Sequence, residues 1–170
     1  MISIRKSKIL LIKTLYSRRN IVNIKSNLIE NFPEVGKKAE LIHSFCQEDV
    51  KKFADICGDN NPLHIDEKFA SNTIFKGTIV HGILVSSLFS TLFGRCIAGS
   101  IYIKQDLNFK RPVHVGAKVI ASIEILEVSK KSKGYFLTCS SVCKLENSEI
   151  AIEGTAKVLV PLEVADKLIK

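Results

Sequence analysis

The sequence predicts a single α+β domain in which an antiparallel sheet wraps around one central helix. The chain has 170 residues and is 46% apolar, which is enough to bury one core. Residues 77–94 contain no charged side chain, as expected for a helix that is buried on nearly all sides. After Ala98 the chain alternates apolar and polar residues in runs separated by turns, which is typical of antiparallel strands.

The first 29 residues differ in charge from the rest of the chain. They hold seven basic residues and no acidic residue, whereas the following 141 residues hold eighteen basic and seventeen acidic residues. A basic, serine-containing, acid-free segment with scattered apolar residues is typical of a mitochondrial transit peptide. Its longest apolar stretch, residues 9–12, is too short for a membrane span or a secretory signal. We therefore predict a transit peptide at residues 1–29, a folded domain at residues 30–170 and a location in the mitochondrial matrix.

The charge distribution also bears on the partners of the protein. Without the leader, the formal charge falls from +8 to +1. A nearly neutral domain gives no electrostatic reason to expect a nucleic-acid partner. The alternative interpretation of the leader is a basic tail that binds nucleic acid or anionic lipid.

The first elements of the predicted domain are a strand and a helix. A short apolar run predicts a strand at residues 39–45. Residues 47–57 have apolar side chains at helical spacing and acidic side chains in the first turn, where the helix dipole favours them. Gly58 provides a stop for this helix. The segment CGDNNPLH at residues 57–64 is then predicted to be a loop, because Asn61 precedes Pro62 and is disfavoured in the α region.

Two further helices are predicted before the strands begin. A short polar helix is expected at residues 66–72. The uncharged run approaches the length of a membrane span, but its serine, threonine, glycine and histidine residues favour a core helix of a globular domain. His81 and Gly82 are the first residues of this helix, so their amides belong to the unpaired donors of a helix start.

The second half of the chain predicts four antiparallel strands. The alternating or β-branched runs occupy residues 101–109, 117–128, 135–145 and 148–160. Turn residues at 130–134 and 146–148 separate the last three strands. The sheet therefore follows the central helix in the chain and packs against it.

The five cysteines predict neither a metal site nor a disulfide framework. They are an odd number and contain no CxxC pair. Reduced and mostly buried thiols are expected instead. We predict no cofactor and no metal. The cysteines are Cys46, Cys57, Cys96, Cys139 and Cys143.

Three segments carry a resemblance to a known family. FADICGDNNPLHID, then IVHGILVSSLFSTLFG, then SIYIKQDLNFKRPVHVG resemble the hydratase 2 group of MaoC-like hot-dog proteins, which includes (R)-specific enoyl-CoA hydratases. The resemblance covers nearly all of residues 45–160, and with the mitochondrial-type leader the chain is most similar to mitochondrial hydroxyacyl-thioester dehydratases. The family signature of an aromatic residue followed by G-D-x-N-P-L-H is met at every position, by Phe53, Gly58, Asp59, Asn61, Pro62, Leu63 and His64.

The resemblance implies a fold, an activity and an assembly. It implies a hot-dog domain that dehydrates (3R)-3-hydroxyacyl groups on acyl carrier protein in mitochondrial fatty-acid synthesis. The same chemistry in reverse, (R)-specific hydration of enoyl-CoA, is an alternative, and a non-catalytic acyl-thioester-binding protein is another. A hot-dog thioesterase would leave the pairing of Asp59 with His64 unexplained. Family members usually pair two domains into a continuous sheet, so a homodimer with an acyl tunnel at or near the interface is expected.

The predicted chemistry depends on two side chains in the loop. Moving water across a C2–C3 bond needs acid and base groups at the two carbons and a donor to the thioester oxygen. Asp59 and His64 are five residues apart across an Asn-Pro turn and can converge on one water or hydroxyl. Either residue can act at C2, and His64 is favoured because imidazole titrates near neutral pH. Each residue alone has a structural interpretation, Asp59 as a turn residue and His64 as a core or surface histidine.

Further site residues follow from the resemblance alone. The backbone N–H of Gly82 is implied as the oxyanion donor, where helix-end amides favour an anion. Ser90 matches a family position for substrate binding, although a packing role is the simpler account. Asn61 is expected to orient the loop. Lys110 and Arg111 are available to a phosphate of the substrate carrier, and a solvated edge is the equal alternative.

Overall fold

The computed structural model describes residues 24–169 and contains one six-stranded sheet. The order along the sheet is β1-β2-β4-β5-β6-β3, and all neighbours are antiparallel. This arrangement confirms the predicted α+β class. The strands are β1 at Ile24–Ser26, β2 at Lys38–Ser44, β3 at Ile101–Phe109, β4 at Lys118–Lys131, β5 at Gly134–Leu145 and β6 at Ile150–Pro161.

Five helices accompany the sheet in residues 24–169. Four of them precede β3, and the last follows β6. None of the helices in this range is long and apolar enough to cross a membrane. The helices are α1 at Gln47–Cys57, α2 at Pro62–Ile65, α3 at Glu67–Ser71, α4 at Gly82–Cys96 and α5 at Leu162–Leu168.

The core lies between α4 and one face of the sheet. Alternate residues of β4 are fully buried, because successive side chains of a strand point to opposite faces. They pack with the inward side chains of α4, among which Phe89 and Phe93 are the largest. Burial of such a face, at about 25 cal/mol per Å² of apolar surface, provides the main driving force for this packing.

The prediction that α4 is buried on nearly all sides is wrong. Its exposed residues include Ile83, Ser87, Ser90 and Gly94. Spacings of four, three and four residues place these positions on one stripe of the helix. The absence of charged residues from residues 77–94 therefore does not mean that the helix is fully buried in the single chain. Its exposed stripe holds mostly small, uncharged residues.

The structure has one strand at the start of the described region and one helix at its end that the sequence does not predict. Residues 24–26 lie within the predicted leader, yet they form β1 and pair with residues 39–41 of β2. Leu28, also in the predicted leader, is fully buried. The folded domain therefore includes residues 24–29, while residues 1–23 lie outside the described part of the chain. At the other end, α5 corrects the expectation that only strands follow Ala98.

Candidate active site

The site begins where α1 stops. Gly58 has φ +79°, in the left-handed region that glycine adopts without strain, and its N–H donates to the carbonyl of Ala54 at 2.8 Å. The helix therefore ends at Cys57, two residues before Asp59. The side chain of Asp59 is 55% exposed, and its Oδ1 accepts the N–H of Asn61 at 3.3 Å.

Asn61 shapes the turn that follows. Its Oδ1 accepts the N–H of Leu63 at 3.1 Å, and its carbonyl accepts the N–H of His64 at 2.9 Å. Asn61 is extended, with ψ 126°, as its position before Pro62 predicts. The side chain thus caps the single turn α2, with Pro62 in the first helical position. This contact supports the predicted loop-orienting role of Asn61.

His64 is held by two hydrogen bonds with distinct effects. Its ring Nδ1 lies 2.7 Å from the carbonyl oxygen of Ile79. Because a carbonyl can only accept, this contact assigns the proton of the neutral ring to Nδ1 and leaves a lone pair on Nε2. The carbonyl of His64 accepts the side-chain N–H of Gln47 at 2.8 Å. The ring therefore has a fixed orientation and a basic nitrogen.

Asp59 and His64 converge, together with a third residue, His81. A carboxylate oxygen of Asp59 and one ring nitrogen of each histidine all lie within 4.8 Å of one another. Two groups at this separation can contact the same water molecule or hydroxyl group, each at ordinary hydrogen-bond length. The turn after α1 and the short helix α2 therefore bring together the two side chains that the sequence singles out. The prediction that residues 57–64 are all loop is wrong for Cys57, which ends α1, and for residues 62–64, which lie in α2.

A cavity of about 390 Å³ connects His64 with the start of α4. Gly82 is the first residue of α4, so its N–H has no acceptor within the helix. The wall next to Gly82 is the ring of Phe109, and a Cβ at position 82 would lie 2.6 Å from its Cε1. The remaining wall is mostly apolar and comprises Phe75, Ile79, Val80, Ile83, Val85, Pro112, Val113 and Ile152.

Of three other predicted site residues, two line this cavity and one does not. Ser90 is exposed two turns further along α4 and does not line the cavity, so its role in substrate binding stays a prediction. Lys110 and Arg111 do line it. Both are paired, Lys110 with Glu153 at 2.9 Å and Arg111 with Glu149 at 3.0 Å.

Asp59, His64 and His81 carry ligand-type atoms, and two of their ring nitrogens already make hydrogen bonds. Three ligands are the number that catalytic zinc sites use, and Asp59, His64 and His81 supply three. However, Nε2 of His81 lies 2.9 Å from the carbonyl of Asp59 and donates to it. Nδ1 of His64 is occupied by Ile79 in the same way. A metal bound through these two nitrogens would have to displace both hydrogen bonds.

The cysteines add one contact to the site, in which Sγ of Cys57 accepts the N–H of Asp59 at 3.4 Å. All five are free, and Cys46 and Cys57 are exposed, so the expectation of mostly buried thiols is wrong for these two. Both are surface residues near the ends of α1. Burial raises the pKa of Cys139 and of Cys143 to about 12, which keeps both thiols protonated and poorly nucleophilic.

Several residues of the site give no signal in the sequence. Gln47 reaches His64 across seventeen residues, and the hydroxyl of Thr78 donates to Oε1 of Gln47 at 3.0 Å. Ile79 acts only through its backbone, which accepts from His64 and donates to Leu63 at 3.1 Å. Such contacts depend on tertiary structure, and ordinary residue types make them.

Fold and site together define a hot-dog protein with a carboxylate and two imidazoles near the amino end of its long helix. Residues 29–141 match the model of the MaoC-like domain. An (R)-specific enoyl-CoA hydratase of Aeromonas caviae is 40% identical over 75% of this chain and 96% of its own length. A mitochondrial 3-hydroxyacyl-[acyl-carrier-protein] dehydratase of Solanum lycopersicum is 30% identical over 89% of this chain and 92% of its own length.

A solved structure agrees with these relatives. The (R)-hydratase from A. caviae that is involved in PHA biosynthesis superimposes with a TM-score of 0.72 at 40% identity, covering 75% of this chain and 97% of that one. The chain belongs to the MaoC-like family. Its relatives are named dehydratases and hydratases, and it is an enzyme of the hydro-lyase class.

Proposed function

We propose that the protein dehydrates (3R)-3-hydroxyacyl thioesters carried by acyl carrier protein to trans-2-enoyl thioesters in mitochondrial fatty-acid synthesis. The observation that carries this proposal is the convergence of Asp59 on His64, which lines a cavity that reaches Gly82. Relatives named mitochondrial dehydratases of acyl-carrier-protein substrates support the choice of carrier and compartment. The basic leader supports the same compartment, and the position of β1 favours an end of the leader before Ile24.

Each catalytic group has one task in this mechanism. In the dehydration direction, Nε2 of His64 removes a proton from C2, because the contact with Ile79 leaves its lone pair free. The carboxyl group of Asp59 gives its proton to the hydroxyl on C3, so that the C3–O bond breaks and water leaves. The proton then returns from His64 to Asp59 before the next cycle. Hydration follows the same steps in reverse.

The amide of Gly82 stabilises the charge that develops on the thioester oxygen. The first amides of a helix have no internal acceptor, and the dipole of the helix favours an anion at this end. Preorganised donors of this kind contribute about 3–4 kcal/mol to the stability of a transition state. The apolar cavity beyond Gly82 takes the acyl chain, and Lys110 and Arg111 at its wall attract the phosphate of the carrier arm.

The assembly proposed with this function is a homodimer. β3 is one of the two outer strands of the sheet, and its exposed apolar residues include Ile101, Ile103 and Phe109. The helix α4, which carries the exposed stripe, is a neighbour of β3, since the ring of Phe109 lies next to Gly82 and Tyr102 packs edge-on against Phe93. An unpaired edge strand of this kind favours pairing with a second copy.

The alternative substrate carrier is coenzyme A. The relative from A. caviae is named an enoyl-CoA hydratase, which favours this second candidate.

Purified protein is expected to add water to crotonyl-CoA, which is measured as loss of the absorbance of the conjugated thioester. In the reverse direction, only the 3R and not the 3S isomer of the hydroxyacyl thioester should react. Absence of turnover on both carriers would overturn the proposed function and favour the non-catalytic acyl-binding alternative.

A further inference from the structure

His81 has contacts that the start of a helix does not require. It is the N-cap of α4, but its side chain makes no capping hydrogen bond. Histidine is also not among the residues that N-cap positions favour. The side chain reaches back 22 residues instead, where Nε2 lies 2.9 Å from the backbone oxygen of Asp59. Because a carbonyl only accepts, the neutral ring carries its proton on Nε2.

The ring of His81 also contacts the second member of the acid–base pair. Its centroid lies 3.8 Å from the centroid of the His64 ring, with a tilt of 31° between the planes. On another side, the edge of the ring packs against Phe53 of α1 at 5.1 Å. His81 is only 3% exposed. One buried side chain therefore contacts Asp59, His64 and α1 at once.

We propose that His81 is a positioning residue, which fastens the segment that carries Asp59 and His64 to the start of α4. This inference rests on the proposed function and deepens it. Asp59 lies in the turn after α1 and His64 lies in α2, whereas the donor to the thioester oxygen is the amide of the residue after His81. The hydrogen bond to Asp59 and the stacking on His64 fix the distance between these two parts of the site. A displacement of about 1 Å in such a geometry can lower a rate about 100-fold.

Two substitutions of nearly equal size separate positioning from space filling. His81→Gln keeps an N–H that can donate to the carbonyl of Asp59, whereas His81→Leu does not. We expect kcat for crotonyl-CoA hydration to fall about 100-fold in His81→Leu and to be at least about tenfold higher in His81→Gln, with KM within about twofold in both. The matched control is His43→Leu, since His43 lies on β2 and packs edge-on against Phe45. Its kcat should equal that of the wild-type protein.

The outcomes distinguish this inference from the proposed function. Equal kcat values for the Gln and Leu variants, beside an active wild-type protein, would overturn the positioning role and leave the function intact. An inactive wild-type protein would overturn the function. In either case, long-range proton–nitrogen NMR spectra of the full chain identify the protonated nitrogen of His81. A proton on Nε2 with a hydrogen-bonded shift supports the contact with Asp59, and a proton on Nδ1 overturns it.

Discussion

His64 shows how much of the site depends on one hydrogen bond. The carbonyl of Ile79 accepts Nδ1–H of the imidazole and thereby leaves the lone pair on Nε2. A histidine can accept a proton at a given ring nitrogen only when that nitrogen carries the lone pair, so the tautomer decides which nitrogen can act as the base. The sequence predicts the residue type and its spacing from Asp59. It cannot predict the tautomer, because the acceptor lies fifteen residues further along the chain.

Asn61 offers the first test at the residue scale. Asn61→Ala removes the cap of α2 and should lower the free energy of unfolding by ~1 kcal/mol. It should also lower kcat, because the turn between Asp59 and His64 loosens. Urea unfolding and crotonyl-CoA hydration measure the two effects. Asn60→Ala is the control, since its side chain contacts only the carbonyl of Gly58 at 3.4 Å. Equal unfolding free energies and equal kcat values for Asn61→Ala and Asn60→Ala would contradict the role of Asn61.

Gly82 offers a second test at this scale. A Cβ at position 82 would lie 2.6 Å from the ring of Phe109, so Gly82→Ala must displace this ring into the cavity or away from it. We expect a loss of ~1–3 kcal/mol in the free energy of unfolding, as for overpacked sites, together with a lower kcat. Phe109→Ala in the same chain should relieve most of the added cost. If the stability penalty of Gly82→Ala persists without the Phe109 ring, the steric explanation is wrong.

At the scale of elements, the regular part of the fold follows from the sequence and the exceptions have physical reasons. Most of β4, β5 and β6 alternates between buried and more exposed residues, and α1 stops before Gly58, so local patterns predict them. β1 is missed because three residues in a basic segment carry no strand signal, and only pairing with β2 orders them. The exposed stripe of α4 is missed because small residues are compatible with both burial and exposure.

Glu67 joins α3 to the segment before α4, and its carboxylate predicts that the stability of the protein depends on pH. Its carboxylate accepts the backbone N–H of Thr78 at 3.2 Å and the hydroxyl of Ser71 at 3.1 Å. These hydrogen bonds hold the pKa of Glu67 below its ordinary value of 4.5, and the bond from the backbone of Thr78 has the largest effect. A depressed pKa favours the charged form in the folded state. Its contribution to stability is therefore present above pH 4.5 and is lost as the pH falls through the folded-state pKa.

Glu67→Gln tests this linkage. The variant should be less stable than the wild-type protein at pH 7, and the difference should shrink at pH values below 4.5. Chemical unfolding at several pH values measures both. A difference in unfolding free energy that stays constant across this range would show that Glu67 does not titrate in these hydrogen bonds.

At the scale of the whole molecule, the exposed apolar surface of β3 and α4 requires an explanation. Ile103 is 49% exposed on the outer strand of the sheet, and Ile83 is 58% exposed on α4. We expect Ile103→Lys to convert a dimer into a monomer at micromolar concentration, because a charge on an edge strand opposes pairing. Sedimentation velocity measures the mass. The control is Ile56→Lys, which places the same charge on an 83% exposed position of α1. A wild-type protein that is monomeric and fully active would contradict the homodimer.

The central claim is that His64 acts at C2 and Asp59 acts at the hydroxyl group on C3 of the same substrate, beside the amide of Gly82. The direct measurement is the rate of crotonyl-CoA hydration by the wild-type protein, Asp59→Asn and His64→Ala, with Asn60→Ala as the control. We predict a kcat about 10²–10⁴-fold lower in each of the first two variants and unchanged in the control. Turnover by Asp59→Asn and His64→Ala at the wild-type rate would contradict the mechanism.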